Sequence, residues 1–272
     1  MASWRNRPLA TISRKDVTDR HGEIVSKHGG VTANRTITFL RTLFNHAIDP
    51  NYGLWDGANP ARKPKKILFH EVPRKTTTKN ADAPKFFKAL ERGPNRNLRD
   101  FILLALSTGA RHGTIFTMQW DQIDFQHRLW TIPHPKGKKG QEEHIVPLNK
   151  LAVTIIKARP RVNEWVFPGR KGHLTTLKKP WAQFLERAGI DDLHIHDLRR
   201  TLATREGGGG ATTEVIQRTL GHTESSAATR IYDRSNRRDD VRDAIDAAVS
   251  AMLSAGKTSK RKLLAAPSAG AA

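Results

Sequence analysis

The sequence predicts a mainly α-helical protein with one small β-sheet. Most of the chain consists of segments in which apolar residues recur every three or four positions, as in amphipathic helices. One segment, 122–149, instead alternates apolar and polar residues, as strands do. A basic stretch that contains two prolines, 62–79, separates a short N-terminal helical region from a longer C-terminal region.

The N-terminal region, residues 1–61, is expected to form two helices. A short helix is predicted near Arg14–Ser26. The segment 34–48 predicts a second helix, with Asn34 as its N-cap. Its apolar stripe lies on one face and consists of Ile37, Leu40, Phe44 and Ile48. Arg35 and Arg41 fall on other faces of this helix.

The basic stretch 62–79 is typical of an extended linker. It carries seven Lys or Arg residues and one acidic residue, and its prolines disfavour helix. Its charge suggests a path along phosphates, which makes Lys65 and Lys66 candidates for nucleic-acid contacts. A merely solvated linker is an alternative explanation for the same charge.

Helical periodicity returns in the C-terminal region. The predicted helices are Pro84–Arg92, Leu98–Ser107, Thr114–Trp120, Leu151–Ala158, Lys178–Ala188, His196–Arg205, Thr212–Leu220 and Asp239–Leu253. Gly109 is predicted as a helix C-cap. The alternating segment predicts a β-hairpin with a basic, glycine-rich loop at 135–140. The Ala-, Ser- and Lys-rich tail 256–272 is expected to be disordered.

Charge and composition restrict the possible functions. The 272 residues include 47 Lys or Arg against 26 Asp or Glu, a net charge of +21. Such an excess attracts a polyanion, and nucleic acid is the leading partner. The absence of cysteine excludes a disulfide framework, a thiolate metal site and a cysteine nucleophile. The first fifteen residues show no secretory signal, and the longest apolar stretch falls far short of the roughly 20 residues that span a bilayer. We therefore expect a soluble protein of the cytoplasm.

Four separate clusters in the C-terminal region hold side chains suited to phosphodiester chemistry. They contain Arg111, the loop lysines Lys136 and Lys139, the pair His196 and Arg199, and finally His222 and Tyr232. Guanidinium and imidazole groups match the non-bridging oxygens of a phosphate. A tyrosine hydroxyl can attack phosphorus, and a lysine can protonate the departing sugar oxygen. Such a site needs no metal or other cofactor, and the histidine spacing does not match a known metal motif.

The same clusters resemble the motifs of the tyrosine recombinase (phage integrase) family. The matching strings are Thr108-Gly109-Ala110-Arg111, His144-Ile145-Val146-Pro147-Leu148, His196-Asp197-Leu198-Arg199-Arg200-Thr201, Leu220-Gly221-His222 and Ile231-Tyr232. The resemblance implies a metal-independent enzyme that breaks and rejoins DNA through a 3′-phosphotyrosyl intermediate. Arg111, His196, Arg199 and His222 are similar to the phosphate-binding residues and Tyr232 to the nucleophile. Counting back from the Val146-Pro147-Leu148 string favours Lys139 as the catalytic lysine, with Lys136 as the alternative.

The resemblance also implies an organisation for the whole chain. Residues 1–61 would be a helical, incomplete core-binding domain, 62–79 the basic linker and 80–255 the catalytic domain. Double-stranded DNA is the implied partner, with a homotetramer on DNA and possible accessory DNA-bending proteins. Arg35 and Arg41 are further candidates for DNA contacts, together with Lys65, Lys66 and Lys136. The apolar stripe of the last predicted helix would dock either on a neighbouring protomer or on its own domain.

Two departures from the family pattern leave other functions open. Thr114 stands where the family usually has an acidic residue, and the run Gly207–Gly210 replaces a bulkier turn. A DNA-binding remnant without catalytic activity is therefore one alternative. A type IB topoisomerase, which uses similar site chemistry, is the other.

Overall fold

The computed structural model describes residues 4–62, 68–71, 77–78, 80–133, 143–221 and 238–265. The chain divides into two compact units, Met1–Lys75 and Thr76–Ala272. Each unit has its own apolar core. Helices dominate the described residues and the sheet has three strands, so the predicted fold class is confirmed.

The N-terminal unit contains two consecutive helices, α1 (Arg14–His28) and α2 (Gly30–Ile48). Ser13 caps α1 through a reciprocal pair of hydrogen bonds with Asp16. The predicted apolar stripe of α2 forms the core of this unit, because Ile37, Leu40 and Phe44 are buried.

Asn34 is not the N-cap of α2, because the helix begins four residues earlier and is preceded by Gly29. Its buried amide uses its full hydrogen-bonding capacity. Oδ1 accepts from the Phe69 backbone N–H at 2.9 Å and lies 3.1 Å from His21 Nε2. Nδ2 donates to the Phe69 carbonyl at 2.7 Å and to Glu71 Oε1 at 2.8 Å. Residues 68–71 of the predicted linker are therefore held against α2.

The helices of the C-terminal unit follow the predicted order with shifted ends. They are α3 (Ala83–Glu91), α4 (Arg96–Thr108), α5 (His112–Phe116), α6 (Lys150–Lys157), α7 (Lys178–Ala188), α8 (Ile195–Gly208), α9 (Thr213–Thr219), α10 (Arg238–Ala255) and α11 (Lys260–Ala265). From Leu98 to Thr108 every residue of α4 is buried, so this helix lies at the centre of the unit.

The predicted helix Thr114–Trp120 is wrong beyond Phe116. The chain leaves the helix there because its backbone bonds to another segment. The Trp120 N–H donates to the Glu164 carbonyl at 3.1 Å, and the Met118 carbonyl accepts from the Val166 N–H at 2.9 Å. These bonds are incompatible with a continued helix, and Met118 becomes fully buried.

The small sheet is antiparallel with strand order β1 (Ile123–Asp124), β2 (Leu129–Ile132) and β3 (His144–Pro147). In the register, Trp130 lies opposite Val146 and Ile132 opposite His144. Trp130 and Val146 are buried and fasten the sheet to the core. The prediction of strands in the alternating segment is thus confirmed. The predicted basic loop 135–140 lies outside the described residues.

The C-terminal helices pack on their own unit. The stripe of α10 is buried in the core of that unit through Val241, Ile245, Ala248 and Met252. The expectation of a disordered tail is wrong for residues 256–265, because α11 packs against α3 and Leu263 is fully buried. Residues 266–272 lie outside the described part of the chain. Among the helices that the structure describes, none combines the length and the apolar character needed to cross a membrane.

Candidate active site

Helix α8 supplies two of the predicted site residues, His196 and Arg199. The helix begins with a capping arrangement in which the His194 backbone N–H donates to Asp197 Oδ2 at 2.8 Å. His196 is therefore in the first turn and remains exposed. Arg199, one turn later, is only 7% exposed.

The Arg199 guanidinium joins the ends of two other helices. Nη1 donates to the carbonyl of Gly109 at 2.5 Å, at the end of α4. Nη2 donates to the carbonyl of Leu220, at the end of α9. Helix C-termini carry unpaired carbonyls and partial negative charge. Both ends therefore stabilise the buried cation.

Gly109 ends α4 in the left-handed conformation, with φ +62, so the predicted C-cap is confirmed. A Cβ at this position would lie 3.2 Å from the Leu202 side chain and 3.3 Å from that of Thr219. The position therefore favours glycine on two grounds, its positive φ and its tight surroundings. Arg111, two residues after Gly109, is the N-cap of α5, and its side chain is exposed.

The site is strongly cationic. Burial, followed by the nearby Arg111 charge, lowers the pKa of Arg199 to about 10, so the guanidinium is still protonated at neutral pH. Burial first, and then the charges of Arg200 and Arg199, lower the pKa of His196 below its ordinary value. A neutral imidazole beside two arginines can exchange a proton while the arginines attract an anion.

A turn at Leu220–Gly221 forms one side of the site. Gly221 has φ +57, and a Cβ placed on it would lie 2.5 Å from Nε2 of His144. His144 is the first residue of β3. Sequence analysis identified His144 only as part of a motif string, because nothing in the sequence indicates its proximity to Gly221.

A buried carboxyl lies behind the site and was missed by sequence analysis. Glu206 on α8 is 1% exposed, and its Oε1 accepts from the Thr219 hydroxyl at 2.9 Å. Burial raises the pKa of Glu206 to about 7, although the Thr219 hydrogen bond opposes the shift. The spacing of Arg199, Leu202 and Glu206, three and then four residues, is the signal that could have placed this glutamate on the buried face of α8.

The structure brings together Arg111, His196 and Arg199 among the predicted site residues. Arg35 and Arg41 are exposed on α2 of the N-terminal unit. The other candidates lie outside the described residues, namely Lys65, Lys66, Lys136, Lys139, His222 and Tyr232. Among the side chains that are described, no group of three or more His, Asp or Glu residues could hold a metal ion.

Thr114 and the run Gly207–Gly210, the two departures from the family pattern, both lie in described parts of the C-terminal unit. Thr114 is half-buried in α5, three residues after Arg111. The run Gly207–Gly210 forms the end of α8 and the turn after it, with Gly210 at φ +87. Residues Gly207 to Gly210 are exposed, so the run does not enter the core.

Known proteins are similar to this chain in sequence. The integrase of Salmonella phage P22 is 32% identical over 150 residues, which cover 50% of this chain and 38% of that protein. The shufflon-specific DNA recombinase of Escherichia coli is 26% identical over 213 residues, 75% of this chain and 49% of the relative. The chain thus spans half or less of the length of these two relatives.

A solved structure of a lambda integrase dimer bound to a COC′ core site has the same fold. It aligns with a TM-score of 0.61 and 19% identity, covering 80% of this chain and 81% of the other. The C-terminal unit therefore has the fold of that integrase structure. The model of the phage integrase family matches residues 76–238, more than half of the chain. The protein belongs to the phage integrase family.

Proposed function

We propose that the protein is a site-specific tyrosine recombinase that integrates or excises DNA of a mobile element. The single observation that carries this proposal is the cationic site at the ends of α4, α8 and α9. There a buried arginine, Arg199, lies near an exposed arginine and near an imidazole with a lowered pKa. A phosphodiester, and still more its pentacoordinate transition state, carries the negative charge that such a site stabilises.

The proposed reaction transfers one phosphoryl ester between two hydroxyls. The Tyr232 oxygen attacks phosphorus, a P–O bond to tyrosine forms, and the bond to the 5′ oxygen breaks. Lys139, or Lys136 in its place, gives a proton to that departing oxygen. The 5′ hydroxyl of another strand then attacks the phosphotyrosine and releases Tyr232. The number of phosphoester bonds is unchanged, so the cycle needs no external energy source.

The described residues contribute binding and proton transfer to this scheme. Arg111 and Arg199 would hold the non-bridging oxygens, with His222 as a further donor. His196, whose lowered pKa favours the neutral imidazole, would accept the proton of the attacking hydroxyl or donate to the phosphate. Because Arg199 is buried and already bound to two carbonyls, little of its side-chain freedom remains to be lost when phosphate binds.

We further propose that the N-terminal unit and the basic linker bind the DNA backbone. Arg35 and Arg41 are six residues apart on α2 and lie about 120° apart around the helix. They would therefore contact DNA on two sides of α2 rather than along one line. Lys65, Lys66 and Lys136 would add phosphate contacts, which predicts a steep fall of affinity with salt.

The number of strands in the reaction suggests the assembly. Recombination between two duplexes breaks four strands, and each chain would supply one tyrosine nucleophile. A homotetramer on double-stranded DNA, acting in the bacterial cytoplasm with or without DNA-bending proteins, would meet this requirement.

A suicide substrate tests the proposal. A nicked duplex that loses its 5′ hydroxyl fragment after cleavage traps the covalent intermediate, which denaturing electrophoresis detects as a protein–DNA adduct. The wild type is expected to form the adduct in the presence of a chelator, and Tyr232→Phe is expected to form none while still binding DNA. No adduct with the wild type, or an equal yield from Tyr232→Phe, would contradict the proposal.

A second candidate is a DNA-binding remnant without catalysis. Thr114, three residues after Arg111 on α5, favours it, because an acidic group that could orient an arginine is missing at this position. This candidate predicts salt-sensitive DNA binding and no adduct. Thr114→Glu would then restore no cleavage, whereas in an active recombinase with a weakened site it should increase the yield.

A further inference from the structure

The Leu220–Gly221 turn is contacted from two sides by residues distant in the sequence. On one side, Arg199 Nη2 donates to the Leu220 carbonyl. On the other, the His144 ring occupies the space that a side chain at position 221 would take. A Cβ on Gly221 would lie 2.5 Å from Nε2, 2.7 Å from Cδ2 and 2.9 Å from Cε1 of His144. Three atoms of the ring therefore lie within 3 Å of the point where a side chain on Gly221 would begin.

The sheet fixes the position of this ring. His144 opens β3 and lies opposite Ile132 of β2 in the antiparallel register. The last two residues of the strand, Val146 and Pro147, are buried, so β3 cannot shift without disturbing the core. A one-residue slip of the strand would move His144 to the opposite face. The contact therefore ties the end of α9 to a rigid element.

We propose that His144 is a positioning residue for the strand-cutting reaction. Its ring supports Gly221 and keeps the Leu220 carbonyl where Arg199 binds it. The Arg199 guanidinium then stays aligned with the phosphate position. This inference rests on the proposed recombinase function. His144 acts through the turn and Arg199. Loss of its ring is therefore expected to slow cleavage without weakening DNA binding.

The first test separates the rate of cleavage from affinity. Single-turnover adduct formation at saturating suicide substrate is expected to be about tenfold slower for His144→Ala, with the Kd for DNA changed less than twofold. His144→Phe keeps a ring against Gly221 and is expected to stay within about threefold of the wild type. Equal losses for the two variants, or a loss explained by weaker DNA binding, would overturn the proposal.

The second test asks whether His144→Ala suppresses the effect of a clash introduced at position 221. Gly221→Ala places a methyl group where the His144 ring lies and is expected to cut the adduct rate severely. Adding His144→Ala removes the ring and is expected to recover at least a threefold faster rate than Gly221→Ala alone. Gly109→Ala is the matched control, because its methyl group would meet Leu202, Thr219 and Leu220 rather than His144. Adding His144→Ala to Gly109→Ala should give no recovery, and equal recovery in both backgrounds would overturn the proposal.

A thermal measurement separates failure of this inference from failure of the proposed function. The double variant Gly221→Ala/His144→Ala is expected to melt about 2–4 °C above Gly221→Ala, the shift that roughly 1 kcal/mol produces in a chain of this size. If the wild type forms no adduct, the proposed function fails while this recovery still shows that His144 holds the turn. A double variant that melts no higher than Gly221→Ala overturns the inference whatever the activity.

Discussion

Asn34 in the N-terminal unit and Glu206 in the C-terminal unit are both buried polar side chains inside helices, yet their surroundings differ. The Asn34 amide has a partner for each of its four hydrogen-bonding positions. Glu206 has one hydrogen bond from Thr219, and its Oε2 has no partner among the described residues. A neutral amide with a complete set of partners is insensitive to pH. A buried carboxyl with an unpaired oxygen has a lower free-energy cost when it is protonated than when it is charged.

The largest expected effect is the loss of the Asn34 amide. Asn34→Ala leaves His21 buried without its partner and removes the bonds to Phe69 and Glu71, so unfolding of the N-terminal unit should become about 2–3 kcal/mol easier. Urea unfolding of the full chain measures this change. The matched control is Asn45→Ala on the same helix, whose exposed amide bonds only to Asn59 among the described residues and should cost less than about 1 kcal/mol. Similar losses for the two variants would show that the buried amide of Asn34 stabilises the unit no more than the exposed amide of Asn45.

Glu206→Gln should remove the part of the pH dependence of unfolding that comes from this carboxyl. The folded-state pKa of Glu206, about 7, lies above its ordinary value of 4.5. The contribution of Glu206 to the free energy of unfolding is therefore present in full below pH 4.5. The free energy of unfolding of the wild type then falls by up to roughly 2–3 kcal/mol as the pH rises to 7, because the carboxyl ionises in the unfolded chain but stays protonated in the folded one. Glu206→Gln should be the more stable protein at pH 8 and close to the wild type at pH 5.

Chemical unfolding of the C-terminal unit at several pH values measures this difference. Glu186→Gln, an exposed glutamate on α7, is the control and should leave the wild-type pH profile unchanged. A parallel pH profile for Glu206→Gln and the wild type would mean that Glu206 does not titrate in this range.

The smallest expected effect belongs to Thr219→Val, which removes the hydroxyl that bonds to Glu206. The change keeps the shape of the side chain, and the hydroxyl also lies 3.1 Å from the Val215 carbonyl. We expect a loss of about 1 kcal/mol and a further rise in the pKa of Glu206, because the hydrogen bond lowers it. In the Glu206→Gln background the pH-dependent part of this loss should vanish. Its persistence there would assign the effect to packing.

The sequence predicts the parts of the fold that depend on local periodicity. The stripe Ile37, Leu40 and Phe44 and the strands around Trp130 are buried as predicted, because a period of 3.6 or 2 already selects the face that meets the core. The prediction of Asn34 as an N-cap is wrong, because an amide that suits a helix start can also hydrogen-bond two segments of one unit to each other. The helix end at Phe116 depends on bonds to residues 164 and 166, which no local pattern reveals.

The candidate site likewise has residues that the sequence predicts and contacts that it does not. Arg111, His196 and Arg199 could be selected from motif strings, because a recurring chemistry fixes their order and spacing. The contact between His144 and Gly221 and the burial of Glu206 against Thr219 depend on how β3, α8 and α9 meet. These three elements are brought together by tertiary packing, so only the fold can show which of their residues touch.

The Arg199 side chain bonds to the ends of two helices, and in the proposed function it also binds a phosphate. A guanidinium has five N–H donors. Among the described residues, two of them go to the Gly109 and Leu220 carbonyls, so three more can serve a phosphate in the proposed function. An ammonium group has three donors around a single nitrogen and could not span both helix ends while also facing a phosphate. Lysine at position 199 would preserve the charge but could not bond to both helix ends and to the proposed phosphate at the same time.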